Sequence, residues 1–312
     1  MDLERIHPQF RDAVKRFPAL PLHNRWFRAI VSRLSSRMGK PGAVAGVRIE
    51  DRRLDHGRVR IYRPESGGTG GALFWIHGGG LILGNPGLND RECSAWARDL
   101  GLVVVSAGYR LASQHPFPAA LDDLYQSWRW LQGAVAALGI DPQRVVVSGQ
   151  SAGGGLAASL VQRIHDAGGV QPAGQALLCP MLDDRTAARR ELDSIKHRLW
   201  NNRSNRAGWG CYLGTAPGGP AVPAYSVAAR RDNLAGLPPA WIGVGDIDLF
   251  YEENRRYAER LREAGVPCEL EVVSGGHHGF ELLSWQAPLT RAFYQSNYRF
   301  LQRVFELRDN EG

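Results

Sequence analysis

Gly149-Gln150-Ser151-Ala152-Gly153 is the segment of this chain best fitted to covalent chemistry. A serine between glycines, after the apolar run 144–148 and before the small-residue run 154–158, reads as a nucleophile elbow. Side chains beside so tight a turn would collide with the neighbouring strand and helix. The turn also lifts the hydroxyl to a helix N-terminus, where the dipole favours developing negative charge. Alone, the pentapeptide could be a glycine-rich turn that happens to hold a serine; the strand–turn–helix setting argues against that. His77-Gly78-Gly79-Gly80 closes another apolar run. Backbone without side chains there lets consecutive N–H groups point into a site as an oxyanion hole, each donor typically worth ~10²–10³ in rate. A serine nucleophile needs a base, and the base an orienting carboxylate. Two glycine-flanked loops offer them: Gly245-Asp246-Ile247-Asp248-Leu249 and Gly275-Gly276-His277-His278-Gly279-Phe280. On spacing alone, either aspartate and either histidine qualifies. His7, His23, His56, His115, His165 and His197 lack such a setting and read as surface or packing residues. The chemistry predicted is acyl transfer by a serine, with the set in chain order Ser, Asp, His.

Such loops need a rigid frame. Six short apolar runs (72–76, 102–106, 144–148, 175–179, 240–244 and 270–273) alternate with helix-length segments at 90–100, 119–137, 152–167, 252–264 and 288–306. This predicts an α/β fold: a mostly parallel sheet covered by helices on both faces, with its site at the strands' C-terminal ends. Ahead of these runs the period is two at 47–50 and 59–62, around a turn at Asp55-His56-Gly57, which predicts two antiparallel edge strands. The sheet then has about eight strands. Residues 1 to about 38 read as helical, with Ile6, Phe10, Val14 and Phe17 at three-to-four spacing, until Gly39-Lys40-Pro41-Gly42 breaks the pattern. Residues 183–225 hold no strand-like run, many arginines and asparagines, and Trp200, Trp209 and Tyr212; they read as a lid or binding element. No internal repeat or low-complexity segment is visible.

Composition narrows the rest. At 312 residues and 34.4 kDa the chain can bury a large core. Hydrophobic residues at 44% and charged residues at 22% exclude a disordered chain. No uncharged apolar run approaches the ~20 residues of a membrane helix. The first residues lack the apolar stretch of a secretory signal, so a cytoplasmic protein with no membrane partner is expected. The net charge is +7, yet only three of the 38 cations are lysine and no block of five like charges occurs, so nucleic-acid binding is not expected. Cys93, Cys179, Cys211 and Cys268 lie too far apart for a C-x-x-C pair and read as reduced thiols.

The motifs together resemble the hormone-sensitive-lipase family of α/β-hydrolases, the bacterial family IV carboxylesterases. The resemblance is carried by His77-Gly78-Gly79-Gly80, Tyr109-Arg110-Leu111-Ala112, Pro116-Phe117-Pro118-Ala119-Ala120 and Gly149-Gln150-Ser151-Ala152-Gly153-Gly154. Asp248-Leu249, with Glu253 and Tyr257-Ala258 beyond, and His278-Gly279-Phe280 complete it. It runs from about Val59 to Phe280. It implies Ser151 as nucleophile, His278 as base and Asp248 as orienting acid, with the N–H groups of Gly79, Gly80 and Ala152 as the oxyanion hole. It also implies a helical cap, from the segment 1–42 and from 183–225, on a catalytic domain spanning 43–312. The chain departs from the family pattern in three places. Gln150 stands where Asp or Glu is usual, Ser113-Gln114 replaces Pro-Glu, and Leu81 replaces a frequent aromatic residue, which changes the pocket wall.

A dinucleotide site at Gly153-Gly154-Gly155-Leu156-Ala157-Ala158 would need an acidic residue after the next strand, where Cys179-Pro180-Met181 stands instead. A binding-only member of the fold would lack the histidine, whereas His278 and Asp248 are both present. The expectation is therefore a carboxylesterase with no cofactor and no metal, acting on a small-molecule ester; a homodimer is compatible with it. A lactone or an acetylated metabolite would suit the same site. A cap of bounded volume, with Leu81, Trp200, Trp209 and Tyr212 as candidate walls, predicts short acyl chains. The polar N-terminus and the absence of a surface-seeking apolar helix argue against work at a lipid interface.

Overall fold

The computed structural model describes residues 2–16, 21–37, 39, 42, 44–55 and 57–309; Phe17, Lys40, Pro41 and His56 lie outside the described residues. Eight strands form one sheet: β1 Val47–Leu54, β2 Gly57–Pro64, β3 Ala72–Ile76, β4 Val103–Ala107, β5 Val145–Gln150, β6 Gly174–Leu178, β7 Ala240–Gly245 and β8 Cys268–Val273. Their order is β1-β2-β4-β3-β5-β6-β7-β8, with β3 to β8 mutually parallel. The apolar runs become strands because both of their faces are covered: β3 to β7 are buried along their whole length.

One expectation is corrected. Of the two antiparallel strands only β1 lies at an edge; β2 pairs with β1 on one side and antiparallel with β4 on the other, from Val59↔Ala107 to Tyr62↔Val104. The alternation that suggested an edge came from Arg60. That side chain is buried, its charge met by Asp51 at 2.6 Å and Asp90 at 2.7 Å.

The helices are α1 Pro8–Arg16, α2 Arg25–Ser35, α3 Asp90–Leu100, α4 Ala119–Leu138, α5 Ala152–Ala167, α6 Asp184–Ala188, α7 Asn202–Leu213, α8 Tyr251–Glu263, α9 Phe280–Leu283 and α10 Pro288–Asp309. One face of the sheet packs on α4, α5 and α8, with α7 beyond them. The other packs on α1, α3 and α10, where Ile6, Phe10 and Val14 are buried. Segment 183–225 contains the helices α6 and α7, joined and followed by irregular chain. No helix among the described residues is long and apolar enough to cross a membrane. Helix α2 leaves Trp26, Ile30 and Leu34 exposed. These residues recur every four positions, which sequence periodicity does not distinguish from a core-facing stripe.

Strand order brings the chemistry together. Strands β3 and β5 are separated by β4 in the chain but adjacent in the sheet, with Ile76 paired to Gly149. The loop opened by His77 therefore emerges beside the turn that holds Ser151.

Candidate active site

Ser151 sits between β5 and α5 at φ 55°, ψ −120°, a conformation that L-residues rarely adopt. Its neighbours must be glycine. A Cβ on Gly149 would lie 2.4 Å from the Gly153 carbonyl oxygen, and one on Gly153 would lie 2.1 Å from that of Ile76. The strained turn is held by Ser151 N–H donating to Leu178 C=O at 2.8 Å and by Ser151 C=O accepting from Met181 N–H at 2.9 Å.

The loops after β7 and β8 bring in the partners. Ser151 Oγ is 2.9 Å from His278 Nε2, and His278 Nδ1 is 2.8 Å from Asp248 Oδ2. Asp248 Oδ1 accepts from Phe250 N–H at 2.9 Å, which fixes the carboxylate. All three side chains are buried. Burial alone would lower the His278 pKa. The charge and hydrogen bond of Asp248, with the charge of Glu281, outweigh it and hold His278 above its ordinary value. The other two candidates have different partners. Asp246 Oδ1 accepts from Gly275 N–H at 2.7 Å, bracing one loop against the other. His277 Nδ1 is 2.8 Å from the His278 carbonyl oxygen, its ring meets Phe10 edge-on, and burial lowers its pKa.

The glycine loop crosses in front of the elbow. Gly79 and Gly80 have φ of 116° and 60°, and a Cβ on Gly79 would lie 2.2 Å from the Leu83 carbonyl oxygen. Among the described residues, no protein acceptor takes the N–H of Gly79, Gly80 or Ala152. His77 braces this loop: its ring stacks on Tyr109 at 4.3 Å and its Nδ1 is 2.8 Å from the Gly78 carbonyl oxygen. Burial lowers its pKa to about 4, so it stands neutral.

Segment 183–225 covers this loop. A Cβ on Gly80 would fall 1.9 Å from the Trp200 ring, and one on Gly208 would fall 2.5 Å from the Gly80 carbonyl oxygen. Trp200 and α7 thus press directly on Gly80. Leu81 is buried with φ 70°, its carbonyl accepting from Ala112 N–H. Trp209 packs edge-on against Tyr212, and Tyr212 against Phe117. His197, from the same segment, is buried within electrostatic reach of Asp248 and His278, and burial lowers its pKa to about 4. The segment is anchored by Glu253 of α8, which accepts from Leu182 N–H at 2.7 Å, Asp183 N–H at 3.2 Å and the Thr186 hydroxyl. On the opposite side, Ser113 meets Ser32 of α2, Oγ to Oγ at 2.7 Å.

Gln150 has a partner that the sequence reading missed. Its Nε2 donates to Glu281 Oε1 at 2.5 Å, and Cys179 Sγ lies 3.5 Å from the same oxygen. Burial raises the Glu281 pKa, and the amide of Gln150 opposes that rise. The one available signal was a lone carboxylate in the apolar run Phe280-Glu281-Leu282-Leu283. Cys179, Asp248 and His278 offer ligand atoms within 4.8 Å of one another. The short His278–Asp248 and Ser151–His278 contacts already account for two of these three groups.

Fold and site together define a class. Residues 73–282 match the model of the alpha/beta hydrolase fold family, and the chain belongs to that family, in its hormone-sensitive-lipase branch. A carboxylic ester hydrolase from Mycobacterium tuberculosis, LipN, is 37% identical over 71% of this chain and 60% of its own length. An ethyl acetate hydrolase from Pseudomonas putida is 31% identical over 84% of this chain and 85% of its own. Among solved structures, a bacterial heroin esterase superposes with a TM-score of 0.85 at 31% identity, covering 97% of this chain and 99% of that one.

Proposed function

We infer that this carboxylic ester hydrolase cleaves short-acyl esters through an acyl-enzyme on Ser151. The observation that carries the reading is the unbroken chain from Ser151 Oγ to His278 Nε2, and from His278 Nδ1 to Asp248 Oδ2, at 2.9 and 2.8 Å. His278 takes the hydroxyl proton as Ser151 attacks the ester carbonyl, and Asp248 stabilises the imidazolium and fixes its tautomer. The tetrahedral oxyanion accepts hydrogen bonds from Gly79, Gly80 and Ala152, whose N–H groups meet no acceptor among the described residues. His278 then protonates the departing alcohol and activates water for deacylation.

The cap of this reading is built from the N-terminal helices and segment 183–225, and Trp200 limits the acyl pocket. Each methylene buried in that pocket contributes about 0.8 kcal/mol until the pocket is full. The resemblance to an ethyl acetate hydrolase supports a short acyl group. The test is kcat/KM for nitrophenyl esters of increasing acyl length. Efficiency should climb from acetate to about four to six carbons, the range the family resemblance implies, and then fall once the pocket is full. A maximum at long-chain esters contradicts the short-acyl reading.

A further inference from the structure

Helix α2 turns its larger apolar side outward. Trp26, Ile30 and Leu34, four residues apart, are 72%, 60% and 56% exposed. The side facing the protein packs Phe27 against the core and is fastened by polar groups. Ser32 Oγ meets Ser113 Oγ, Ser35 Oγ accepts from Gly84 N–H at 3.1 Å, and Ser35 C=O accepts from Asn85 Nδ2 at 2.7 Å. A helix packed on a globular core normally does the reverse. Beside the apolar stripe runs a second exposed one of Arg25, Ala29 and Arg33, with Arg37 one turn on. The Arg25 guanidinium lies 5.2 Å from the centre of the Trp26 ring. From Ala13 to Ile49 the sequence carries eight Lys and Arg residues and no Asp or Glu.

We propose that this face of α2 docks on an anionic lipid surface. Trp26, Ile30 and Leu34 enter the boundary between headgroups and acyl chains, and the arginines beside them meet lipid phosphates. Charge decides against a second copy of the chain. A two-fold contact through this face would set the Arg25 and Arg33 of one helix against those of the other, with no carboxylate in either helix to pair with them. Because α2 is fastened to Gly84 and Asn85, docking brings to the lipid the same loop that carries Gly79 and Gly80.

The test is cosedimentation of the full chain with vesicles of equal parts phosphatidylcholine and phosphatidylglycerol, against vesicles of phosphatidylcholine alone. The protein should partition onto the anionic vesicles, and high salt should weaken the association. Replacing the stripe together, as Trp26→Ser/Ile30→Ser/Leu34→Ser, should lower binding at least about tenfold. It should leave circular dichroism unchanged. No binding to anionic vesicles overturns the proposal, as does binding that the triple variant retains or that neutral vesicles match. A lipid-free dimer abolished by the triple variant assigns the face to a second copy and overturns it too. So does capture of an acidic protein with no affinity for vesicles.

Discussion

Asp248→Asn should lower kcat by roughly 10³–10⁴, as acid-to-amide changes do in serine triads. Asp246→Asn should cost far less in kcat and show itself as lost stability, since the Asp246 carboxylate is spent on Gly275 N–H. Kinetics of the two folded variants check the assignment. In the same way, His278→Ala should abolish turnover. His277→Ala should mainly lower Tm, because its ring is buried against Phe10 and bonded to the His278 carbonyl. Spacing left both pairs open, and only the resemblance singled out Asp248 and His278. The physical reason is that neighbouring residues on one loop diverge in role through contacts with distant chain. Glu281 is the sharper case, for its partner Gln150 lies 131 residues away. His278 must be neutral to accept the serine proton, so kcat/KM should rise with pH through its pKa, which lies above the ordinary 6.5. Glu281→Gln removes one of the charges that raise that pKa. The acidic limb of the pH profile should therefore move to lower pH, and a profile that stays in place would show that Glu281 contributes no charge.

Elements were legible where burial is complete on both faces and less so where it is not. Strand β3 matches its sequence reading residue for residue because uniform burial selects a uniform apolar run; α3 and α5 match theirs too, although α3 leaves Arg91, Arg98 and Asp99 exposed. Strand β8 begins two residues earlier than its apolar run, since Glu269 is exposed on this edge strand. Segment 183–225 was recognisable as an insertion but not as a structure. Its attachment depends on Glu253, whose pKa burial pushes well above the usual carboxylate range. Glu253→Ala should destabilise the protein by about 1–3 kcal/mol through the orphaned N–H groups of Leu182 and Asp183. Glu253→Gln keeps an acceptor there and should retain most of that stability; urea melts separate the two. Gly80→Ala tests the other contact of the segment, because the new methyl would overlap the Trp200 ring. It should lower kcat by at least about tenfold by shifting the Gly79–Gly80 loop. Trp200→Ala in the same chain should recover part of the loss.

At the scale of the whole molecule, the sequence supplied every strand but not their order. No local pattern states that the chain passes from β4 back over β3 to place β5 on its other side, yet that crossover is what sets the Gly79–Gly80 loop against Ser151. The outward stripe of α2 was hidden for a related reason, since periodicity gives the spacing of a face and not what the face meets. The role of the assembled site can be tested in one labelling experiment. A fluorophosphonate ester incubated with the purified protein, followed by peptide mass spectrometry, should modify Ser151 alone. Esterase activity should fall in proportion to labelling, and Ser151→Ala should neither label nor turn over. A label on another residue, or activity that survives in Ser151→Ala, would contradict the acyl-enzyme mechanism.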